Sequence, residues 1–598
     1  MIAPTTTGTK PSAMPGLTAT TMDRALLLTA ASRGDDVAIS TSDGIDTLTW
    51  REYADHAQRF AAGLESLGLA HGDTIAMLLT NRPEFHITDL AALLVGATPF
   101  SMYNTYPPEQ LLHLLADTEC RIVVTEPDLL PALRVACDLG ADLDHIIVVG
   151  DATEGTTAWS ALLEVGIRTD PSPSGPEDIA TIIYTSGTTG APKGVQLTHR
   201  NLIAMADSVL QVMPVDPSNR AISYLPMAHV AERVCSHYMP MLVGFSITCC
   251  SDPAEIADLL PRVRPHVFFS PPRVWEKLRA AVLANLEASG PELFELANAA
   301  LEVGQRALRE RQAGNQLSDW LNDQLQSTEP IRHAIRERLG LDQVAVGITG
   351  AAPCPPHVVE FFHALGVPLQ EIYGLSETTG LITMTRSDEL RLGTVGKVLP
   401  GMEIHMAEDG EIFARGPLVM AGYRNRPDAT AEMIDSDGWL HTGDIGILDP
   451  DGSLRIVDRK KELIINAAGK NMSPANIEAK LKESSQLIGQ AICIGDARPF
   501  NVALIVLDPA AARAFATHHR LPADDLAVLA ESTLMQEELA RCVERANTGL
   551  ARVEQIKRFR ILGSDWQPGG DELTPTMKLK RRPISDKYVA EIEALYAT

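Results

Sequence analysis

From Ile182 to Gly194 the chain reads IIYTSGTTGAPKG. The short apolar run predicts a strand, which leads into a loop of hydroxyls and glycines that ends near Lys193. Glycines let backbone N–H groups approach phosphate oxygens, hydroxyls add donors and lysine adds positive charge, so the loop suits a triphosphate. The spacing is not that of the Walker loop, in which lysine directly follows a glycine. The alternative is an ordinary surface loop.

Length and composition limit the classes of protein that this sequence can encode. A chain of 598 residues is too long to fold around a single hydrophobic core, so two or more domains are expected. The net charge of −26 argues against nucleic acid as a partner. None of the eight cysteines forms a C-x-x-C pair, so neither a zinc site nor a disulfide framework is predicted, and a reducing compartment is favoured.

The first 19 residues are rich in Thr, Pro and Gly and predict a flexible tail instead of a signal peptide. The longest apolar run, from Tyr238 to Cys250, contains Pro240 and Gly244 and is too short to span a bilayer. These features predict a cytoplasmic protein. Peripheral contact with the inner face of a membrane and formation of a homodimer remain open.

Helical and strand-like runs alternate up to about Leu390, which favours an α/β fold with largely parallel sheets. The predicted helices lie at 53–67 and 83–95, the predicted strands at 74–79, 121–125 and 146–149, and the run from Pro291 to Arg338 predicts a helical insertion.

The pattern changes after Thr394. Asp409-Gly410 and Asp451-Gly452 each lie between β-like runs and predict hairpins. A helix near 474–482 and strands near 490–494 and 502–507 then follow the charged tract 458–462. We therefore predict a flexible tail (1–19), a large domain of layered sheets and helices (20–458) and a smaller, mobile α+β C-terminal domain (459–598).

Six motifs occur in order along the chain. They are YTSGTTGAPKG (184–194), YLPMAH (224–229), GAAP (350–353), YGLSET (373–378), WLHTGD (439–444) and DRKKELI (458–464). With these six motifs in this order, the chain resembles the AMP-forming acyl-CoA synthetases of the adenylating superfamily. Three further runs, HVAER (229–233), PRVWEK (272–277) and LTPTMKLKR (573–581), are similar to the long-chain fatty acid branch.

The resemblance implies a fatty-acid–CoA ligase, which joins a fatty acid to CoA through an acyl adenylate and releases AMP and diphosphate. ATP and CoA are the implied co-substrates and Mg²⁺ the implied cofactor. A fatty acyl-AMP ligase that serves a carrier protein is the first alternative, and peptide-synthetase-type adenylation domains and non-catalytic nucleotide-binding proteins are others.

The resemblance also assigns ATP-binding residues. It implies that the phosphate loop holds the β and γ phosphates, that Thr185 and Glu377 bind Mg²⁺, and that Ser376 contacts the α-phosphate. It also implies that Asp444 binds the ribose hydroxyls and that Arg459 donates to the ribose or to a phosphate. The remaining implied ATP-binding residues are Ser186, Gly187, Thr188, Thr189, Gly190, Lys193, Gly350, Ala351, Ala352, Tyr373 and Gly374.

The resemblance further implies that Lys578 is the mobile catalytic lysine, His229 a residue on the path of the acyl carboxylate and the thiol, and Lys461 the hinge of the C-terminal domain. The family residue before this lysine is glycine, whereas this chain has Met577. Lys580 therefore stays an alternative to Lys578. Candidate walls of an acyl tunnel are Val230, Trp275 and the run 239–245.

Overall fold

A computed structural model describes residues 14–185, 191–387, 389–467, 470–522, 525–574 and 577–597 of the protein. In these residues the fold is mixed α/β, with a large N-terminal part followed by a smaller C-terminal part. This agrees with the predicted fold class.

The strands are numbered in chain order. They are β1 (Val37–Thr41), β2 (Thr47–Thr49), β3 (Thr74–Leu78), β4 (Thr98–Ser101), β5 (Ile122–Thr125), β6 (His145–Val148), β7 (Thr157–Ala158), β8 (Ile179–Thr185), β9 (Lys193–Thr198), β10 (Arg220–Ser223), β11 (Ser246–Cys249), β12 (Val267–Ser270), β13 (Val346–Thr349), β14 (Leu369–Tyr373), β15 (Thr383–Met384), β16 (Lys397–Val398), β17 (Glu403–Met406), β18 (Glu411–Arg415), β19 (Gly422–Tyr423), β20 (Leu440–Leu448), β21 (Leu454–Arg459), β22 (Ile464–Ile465), β23 (Asn471–Met472), β24 (Ile488–Ile494), β25 (Asn501–Leu507) and β26 (Ile556–Leu562).

The α-helices are numbered in the same way. They are α1 (Met22–Arg33), α2 (Trp50–Ser66), α3 (Pro83–Val95), α4 (Pro108–Thr118), α5 (Leu130–Asp138), α6 (Trp159–Leu162), α7 (His199–Leu210), α8 (Val230–Arg233), α9 (Met239–Val243), α10 (Ile256–Val263), α11 (Pro272–Ala288), α12 (Pro291–Gln312), α13 (Asp319–Leu339), α14 (Pro356–Leu365), α15 (Pro427–Met433), α16 (Pro474–Ser484), α17 (Pro509–His519), α18 (Leu526–Ala530), α19 (Thr533–Thr548), α20 (Arg581–Lys587) and α21 (Val589–Tyr596). Short 3₁₀-helices cover Pro15–Thr18, Pro253–Glu255 and Ser376–Thr378, and a π-helix covers Val234–Tyr238.

An eight-stranded sheet carries the predicted phosphate loop. Its strand order is β19-β9-β8-β4-β3-β5-β6-β7. Strands β3 to β8 run parallel, whereas β9 runs antiparallel to β8. Because β8 and β9 are sequential and antiparallel, the loop between them lies at the carboxyl end of β8.

A five-stranded sheet supplies the opposite wall of the site, with the order β12-β13-β14-β15-β16. Strands β12, β13 and β14 are parallel, so their carboxyl ends lie at one edge. The loops that begin at Gly350 and Gly374 leave from this edge, where open α/β sheets bind ligands. A four-stranded sheet, β10-β11-β1-β2, and another, β17-β18-β20-β21, complete the large part.

The C-terminal part is built on the three-stranded sheet β24-β25-β26 and has its own core, in which α16 and α19 pack on the sheet. Strand β21 ends at Arg459, and this core begins at Ile464. The domain boundary at 458/459 remains a prediction.

The long periodic segments were predicted correctly. The helix expected at 53–67 is α2, which begins with a capping box in which the Thr49 hydroxyl accepts from the Glu52 N–H at 3.3 Å. Helix α3 has the predicted bounds and ends at Gly96, which has a φ of 88°. The helical insertion is α12 and α13, and both predicted hairpins are present.

The predicted flexible tail is wrong for residues 14–19. Met14 and Ala19 are buried, and a Cβ on Gly16 would lie 2.6 Å from the Met241 carbonyl oxygen and 2.7 Å from that of Leu242. The segment thus packs closely against α9, a distant part of the chain, and against the neighbouring α1, where a Cβ on Gly16 would lie 2.8 Å from Thr29 Oγ1. No helix among the described residues is long and apolar enough to cross a membrane.

Candidate active site

The phosphate end of the predicted site lies where β8 and β9 meet. Thr185 and Lys193 are register partners, and Thr185 Oγ1 donates to the Lys193 carbonyl oxygen at 3.5 Å. Lys193 Nζ lies 4.8 Å from the ring centre of Tyr423. The other predicted loop residues lie outside the described part of the chain; these are Ser186, Gly187, Thr188, Thr189 and Gly190.

Tyr423 connects this end of the site to Glu377. It lies on β19, which pairs with β9, and its hydroxyl donates to Glu377 Oε1 at 2.7 Å. Burial and the nearby Glu377 charge raise the pKa of Tyr423, so the phenol is a donor at neutral pH. The structure therefore brings Thr185, Lys193 and Glu377 together through a tyrosine that the sequence analysis missed.

Gly350, Ala351 and Ala352 follow β13 directly. A Cβ on Gly350 would lie 2.5 Å from Ile372 Cγ1, so packing against β14 requires glycine here. Ala351 has a φ of 67°, a left-handed conformation that costs a non-glycine residue about 1–2 kcal/mol. Backbone strain of this kind is concentrated at functional sites. Ala351 and Ala352 are exposed, which leaves their backbone accessible to a ligand.

The loop after β14 carries Gly374, Ser376 and Glu377. A Cβ on Gly374 would lie 2.4 Å from the Gly380 carbonyl oxygen, so the chain turns back too tightly for any side chain at this position. Ser376 begins the one-turn 3₁₀-helix that also contains Glu377. The serine and the glutamate are thereby fixed relative to Tyr373 at the end of β14.

Asp444, Arg459 and Tyr373 form a hydrogen-bonded group. The Tyr373 hydroxyl donates to Asp444 Oδ2 at 2.7 Å, and Arg459 Nε donates to Asp444 Oδ1 at 2.7 Å. Burial raises the pKa of Asp444, while Arg459, the Tyr373 hydroxyl and Lys578 oppose this shift. Each carboxylate oxygen can accept a second hydrogen bond, so the group can still receive a diol.

Lys578 reaches this group from the C-terminal part. The residue keeps more than a third of its surface exposed. Protein atoms around its ammonium nevertheless reduce contact with water, and this desolvation lowers the pKa of Lys578. The Arg459 charge lowers this pKa further, whereas Asp444, Glu377 and Glu462 raise it. The ammonium thus lies among the charged residues predicted to hold the nucleotide.

Lys578 and Lys580 differ in their contacts. Lys580 Nζ donates to the Gly570 carbonyl oxygen at 2.8 Å, a contact within the C-terminal part. Met577 has a φ of 65°, so the position before Lys578 requires the conformation that glycine adopts most readily. Met577 therefore keeps the backbone conformation expected for the family glycine, although this conformation is less favourable for methionine.

His229 precedes α8, and its Nδ1 accepts from the Ala231 N–H at 3.2 Å. Burial lowers the pKa of His229 to about 4, and the Lys578 charge contributes to this shift. The ring is therefore neutral at pH 7, and because Nδ1 is an acceptor the proton lies on Nε2. Lys461, the predicted hinge, is exposed in the turn between β21 and β22.

A buried charged network lies behind His229. Arg233 forms an ion pair with Asp89, and both side chains are fully buried. His237 Nε2 lies 2.8 Å from Asp89 Oδ1. Glu232, which accepts from the Tyr224 N–H at 3.0 Å, has its pKa raised to about 7 by burial. The sequence analysis noted this run but could not identify Asp89 as its partner, which lies 144 residues away.

Glu371 is a second buried carboxyl group that the sequence analysis missed. It lies two residues before Tyr373 on β14 and is 6% exposed. Burial raises its pKa to about 8. Among the described residues Glu371 Oε2 has no hydrogen-bond partner. The strand that ends at Tyr373 thus carries a buried carboxylate oxygen without a partner.

An apolar chamber with a cavity volume of about 50 Å³ begins beside these residues. At the site end it is lined by Ala231, Ile372 and Gly380, and farther in by residues of α7, β12 and the segment before β11. Its one hydroxyl-bearing wall residue, Thr379, donates to the Leu418 carbonyl oxygen at 2.8 Å. The chamber therefore suits a hydrocarbon chain.

Two of the predicted acyl walls line this chamber, Met239 and Phe245. The prediction is wrong for Trp275, which packs in a second core with its ring centre 4.8 Å from that of Phe362. Its Nε1 donates to the Ile348 carbonyl oxygen at 3.2 Å. Trp275 therefore supports the chamber wall from behind.

Comparisons with known proteins agree with this geometry. A putative fatty-acid–CoA ligase, FadD11 of Mycobacterium tuberculosis, is 47% identical over 71% of this chain and 74% of its own length. The long-chain-fatty-acid–CoA ligase FadD15 of Mycobacterium tuberculosis is 34% identical, with 93% of each chain covered.

Solved structures show the same fold. An anthranilate CoA ligase, AuaEII, in complex with anthranoyl-AMP has a TM-score of 0.73 at 18% identity and covers 95% of this chain and 97% of its own. A Mycobacterium tuberculosis fatty acyl CoA synthetase has a TM-score of 0.63 at 21% identity and covers 96% of this chain and 99% of its own.

Two family descriptions match along the chain. "AMP-binding enzyme" matches residues 27–424, and "AMP-binding enzyme C-terminal domain" matches residues 461–598. Together they cover most of both parts of the fold, and of the site residues only Asp444 and Arg459 lie between the two matches. The chain therefore belongs to the family of AMP-binding enzymes.

Proposed function

We propose that the protein is an AMP-forming fatty-acid–CoA ligase, which converts a fatty acid, ATP and CoA into acyl-CoA, AMP and diphosphate. One observation carries the proposal: Lys578 lies near Asp444, Arg459 and Glu377, and the apolar chamber reaches Ile372, the residue before Tyr373 of the same site. The names of the relatives support the same acid and thiol substrates. They give no support to a ligase that serves a carrier protein.

In the first step a fatty carboxylate attacks the α-phosphorus of ATP, and diphosphate leaves. The two reactants are anions, so the site has to neutralise charge where they meet. Lys193 lies at the phosphate end and Lys578 at the junction of acyl and phosphate groups, where a fixed positive charge stabilises the transition state. Asp444 and Arg459 hold the ribose, and Tyr373 with Gly350, Ala351 and Ala352 borders the purine.

The metal in this proposal is Mg²⁺, which takes oxygen ligands and is commonly bound by one or two carboxylates together with substrate phosphates. Glu377 and Thr185 supply a carboxylate and a hydroxyl of this kind, and Tyr423 fixes one oxygen of Glu377. The ion would offset the phosphate charge when bound. Among the described residues no cluster of three or more His, Cys, Asp or Glu could hold a metal by itself.

His229 is a neutral donor in this scheme. Its Nδ1 is engaged by the Ala231 N–H, so Nε2 carries the proton. From this position it can donate to an oxygen of the acyl group without adding a charge that would repel Lys578. The low pKa of about 4 keeps it in this state across the neutral range.

In the second step the CoA thiol attacks the carbonyl carbon of the adenylate, and AMP leaves. Lys578 occupies the approach to this carbon, so the C-terminal domain has to move first. We place the domain boundary at 458/459 and the hinge at Lys461, whose exposed turn links β21 to β22. Hinges of this type are element-terminal residues that absorb the backbone change.

The direct test is to incubate the protein with ATP, Mg²⁺ and palmitate, with and without CoA, and to quantify acyl-AMP, AMP and palmitoyl-CoA. We expect bound acyl-AMP without CoA, and equal amounts of AMP and thioester with CoA. Acyl-AMP that CoA cannot discharge would indicate the acyl-AMP ligase alternative. Absence of all three products would refute the proposed activity.

A further inference from the structure

Arg273 is a residue of the PRVWEK run for which the catalytic scheme has no use. It lies in the first turn of α11, one residue after Pro272. Its guanidinium leaves the large part of the fold and forms an ion pair with Asp508 of the C-terminal part. The contact joins residues 235 positions apart, which places it across the two parts of the fold.

The two carboxylate oxygens of Asp508 have different hydrogen-bond partners. Oδ1 accepts from the N–H groups of Ala510 at 3.1 Å and Ala511 at 3.0 Å and caps α17. Oδ2 accepts from Arg273. The side chains of Arg273 and Asp508 are 34% and 18% exposed, so the pair is only partly screened by solvent. The helix cap fixes the carboxylate, and this lowers the entropy lost when the ion pair forms.

The position of Arg273 is unfavourable for its own helix. Helix N-termini carry partial positive charge and favour acidic side chains over basic ones. Arg273 compensates in part through Glu276, whose Oε2 accepts from Nη1 at 3.2 Å. A basic side chain in the first turn therefore departs from the charge preference of the helix, and such departures indicate an interaction with another part of the protein. The partner outside α11 is Asp508.

The ion pair exists only when the C-terminal part lies where the structure has it. The two parts also touch at a second place: Gly569 of the C-terminal part lies so near the large part that a Cβ on it would be 2.9 Å from Thr105 Oγ1. In this arrangement Lys578 lies near Asp444, Arg459 and Glu377. Rotation of the C-terminal part would withdraw Lys578 and separate Asp508 from Arg273 at the same time.

We propose that Arg273 and Asp508 are positioning residues whose ion pair holds the C-terminal domain in the arrangement that forms the adenylate. The inference rests on the proposed function, in which Lys578 acts in the first step and leaves before the second. Partly exposed ion pairs favour one arrangement by about two- to fivefold. The pair therefore favours adenylation and slows the change to thioester formation.

The test measures two rates separately in the full-length protein: formation of palmitoyl-AMP, and formation of palmitoyl-CoA from supplied palmitoyl-AMP. Arg273→Gln removes the cation and keeps a good helix former. Asp508→Asn removes the charge but keeps the cap, because Asn caps helices as well as Asp does. We expect each variant to lower the ratio of the first rate to the second by about two- to fivefold.

The double variant should show no further change, since one interaction is lost in all three proteins. Raising NaCl from about 0.01 M to about 1 M should lower the ratio in the wild type and leave it nearly constant in the double variant. The matched control is Arg309→Gln, which removes the ion pair with Glu360, a carboxylate also 18% exposed, between α12 and α14 of the large part. This control should keep the wild-type ratio.

An unchanged ratio in either single variant overturns the inference, as does a ratio that falls in Arg273→Gln alone, which would indicate an effect on α11. Additive losses in the double variant also overturn it. Thermal melting shows that each variant is folded at the assay temperature, and the ratio is compared under conditions where all variants are folded. Failure of the proposed function is distinct, because the wild-type protein would then form no palmitoyl-AMP.

Discussion

Phe245 is expected to set the upper limit of acyl chain length. The parallel strands define the direction of the chamber, because Val267 pairs with Val346, and Ile348 pairs with Gln370. Ile372 thus lies four positions beyond Val267 along the strand direction, about 13 Å toward the site. Val267 and Phe245 line the far end, at the amino ends of β12 and β11.

Replacing Phe245 by alanine should open this end. The side chain is 1% exposed, so its ring occupies space that a longer acid could fill. Each methylene removed from water contributes about 0.8 kcal/mol, or about fourfold in kcat/KM. Two added methylenes should therefore gain about 15-fold relative to the optimal acid of the wild type. The truncation itself should cost about 3–5 kcal/mol of stability.

The assay is a panel of saturated acids that differ by two carbons, with kcat/KM measured for the wild type and for Phe245→Ala. Phe60→Ala is the matched control, because Phe60 is fully buried in the same core but stacks on Trp159, outside the chamber. We expect the optimum to move to longer acids only in Phe245→Ala. An unchanged optimum, or an equal shift in Phe60→Ala, would refute the assignment of the chamber floor.

Four further outcomes are expected. Lys578→Ala should slow adenylate formation about 10²–10³-fold and leave thioester formation from supplied acyl-AMP within a few-fold of wild type; equal loss of both rates would contradict its role. Lys461→Pro should show the reverse, and normal thioester synthesis would argue against the hinge. Tyr423→Phe should raise the Mg²⁺ concentration for half-maximal rate about tenfold, because Glu377 loses a donor; an unchanged Mg²⁺ titration would exclude this. The pKa of His199, about 4 because of burial, lies below its ordinary value, so the unfolded chain binds the proton first and stability falls as the pH drops below about 6.5. Urea unfolding of the wild type should lose about 2 kcal/mol between pH 7.5 and 5 from this group, and His199→Asn should lose less.

The sequence predicted the elements whose information is local. Helix α3 and strand β3 follow from the lengths of their apolar runs, and both hairpins follow from Asp-Gly turns. The motif residues of the site could also be predicted, because each motif keeps its own short spacing. The order of the motifs then determined the family without any knowledge of the fold.

Contacts between distant segments could not be predicted. Tyr423 meets Glu377 from 46 residues away, and Asp89 meets Arg233 from 144 residues away. Neither partner lies in a motif that specifies the other. The prediction of a flexible tail was wrong for residues 14–19 for the same reason, because Gly16 packs against carbonyl groups of the distant helix α9. Trp275 was misassigned since an aromatic residue in a core and one in a tunnel wall have the same sequence pattern.

The most direct test of the account is pyrophosphate–ATP exchange. Purified protein with ATP, Mg²⁺ and labelled diphosphate should incorporate label into ATP only when a fatty acid is present, and CoA should not be required. Lys578→Ala should reduce this exchange, whereas Arg309→Gln should not. Exchange that is absent with every fatty acid, or that proceeds equally well without an acid, would contradict the claim that this site activates fatty acids as adenylates.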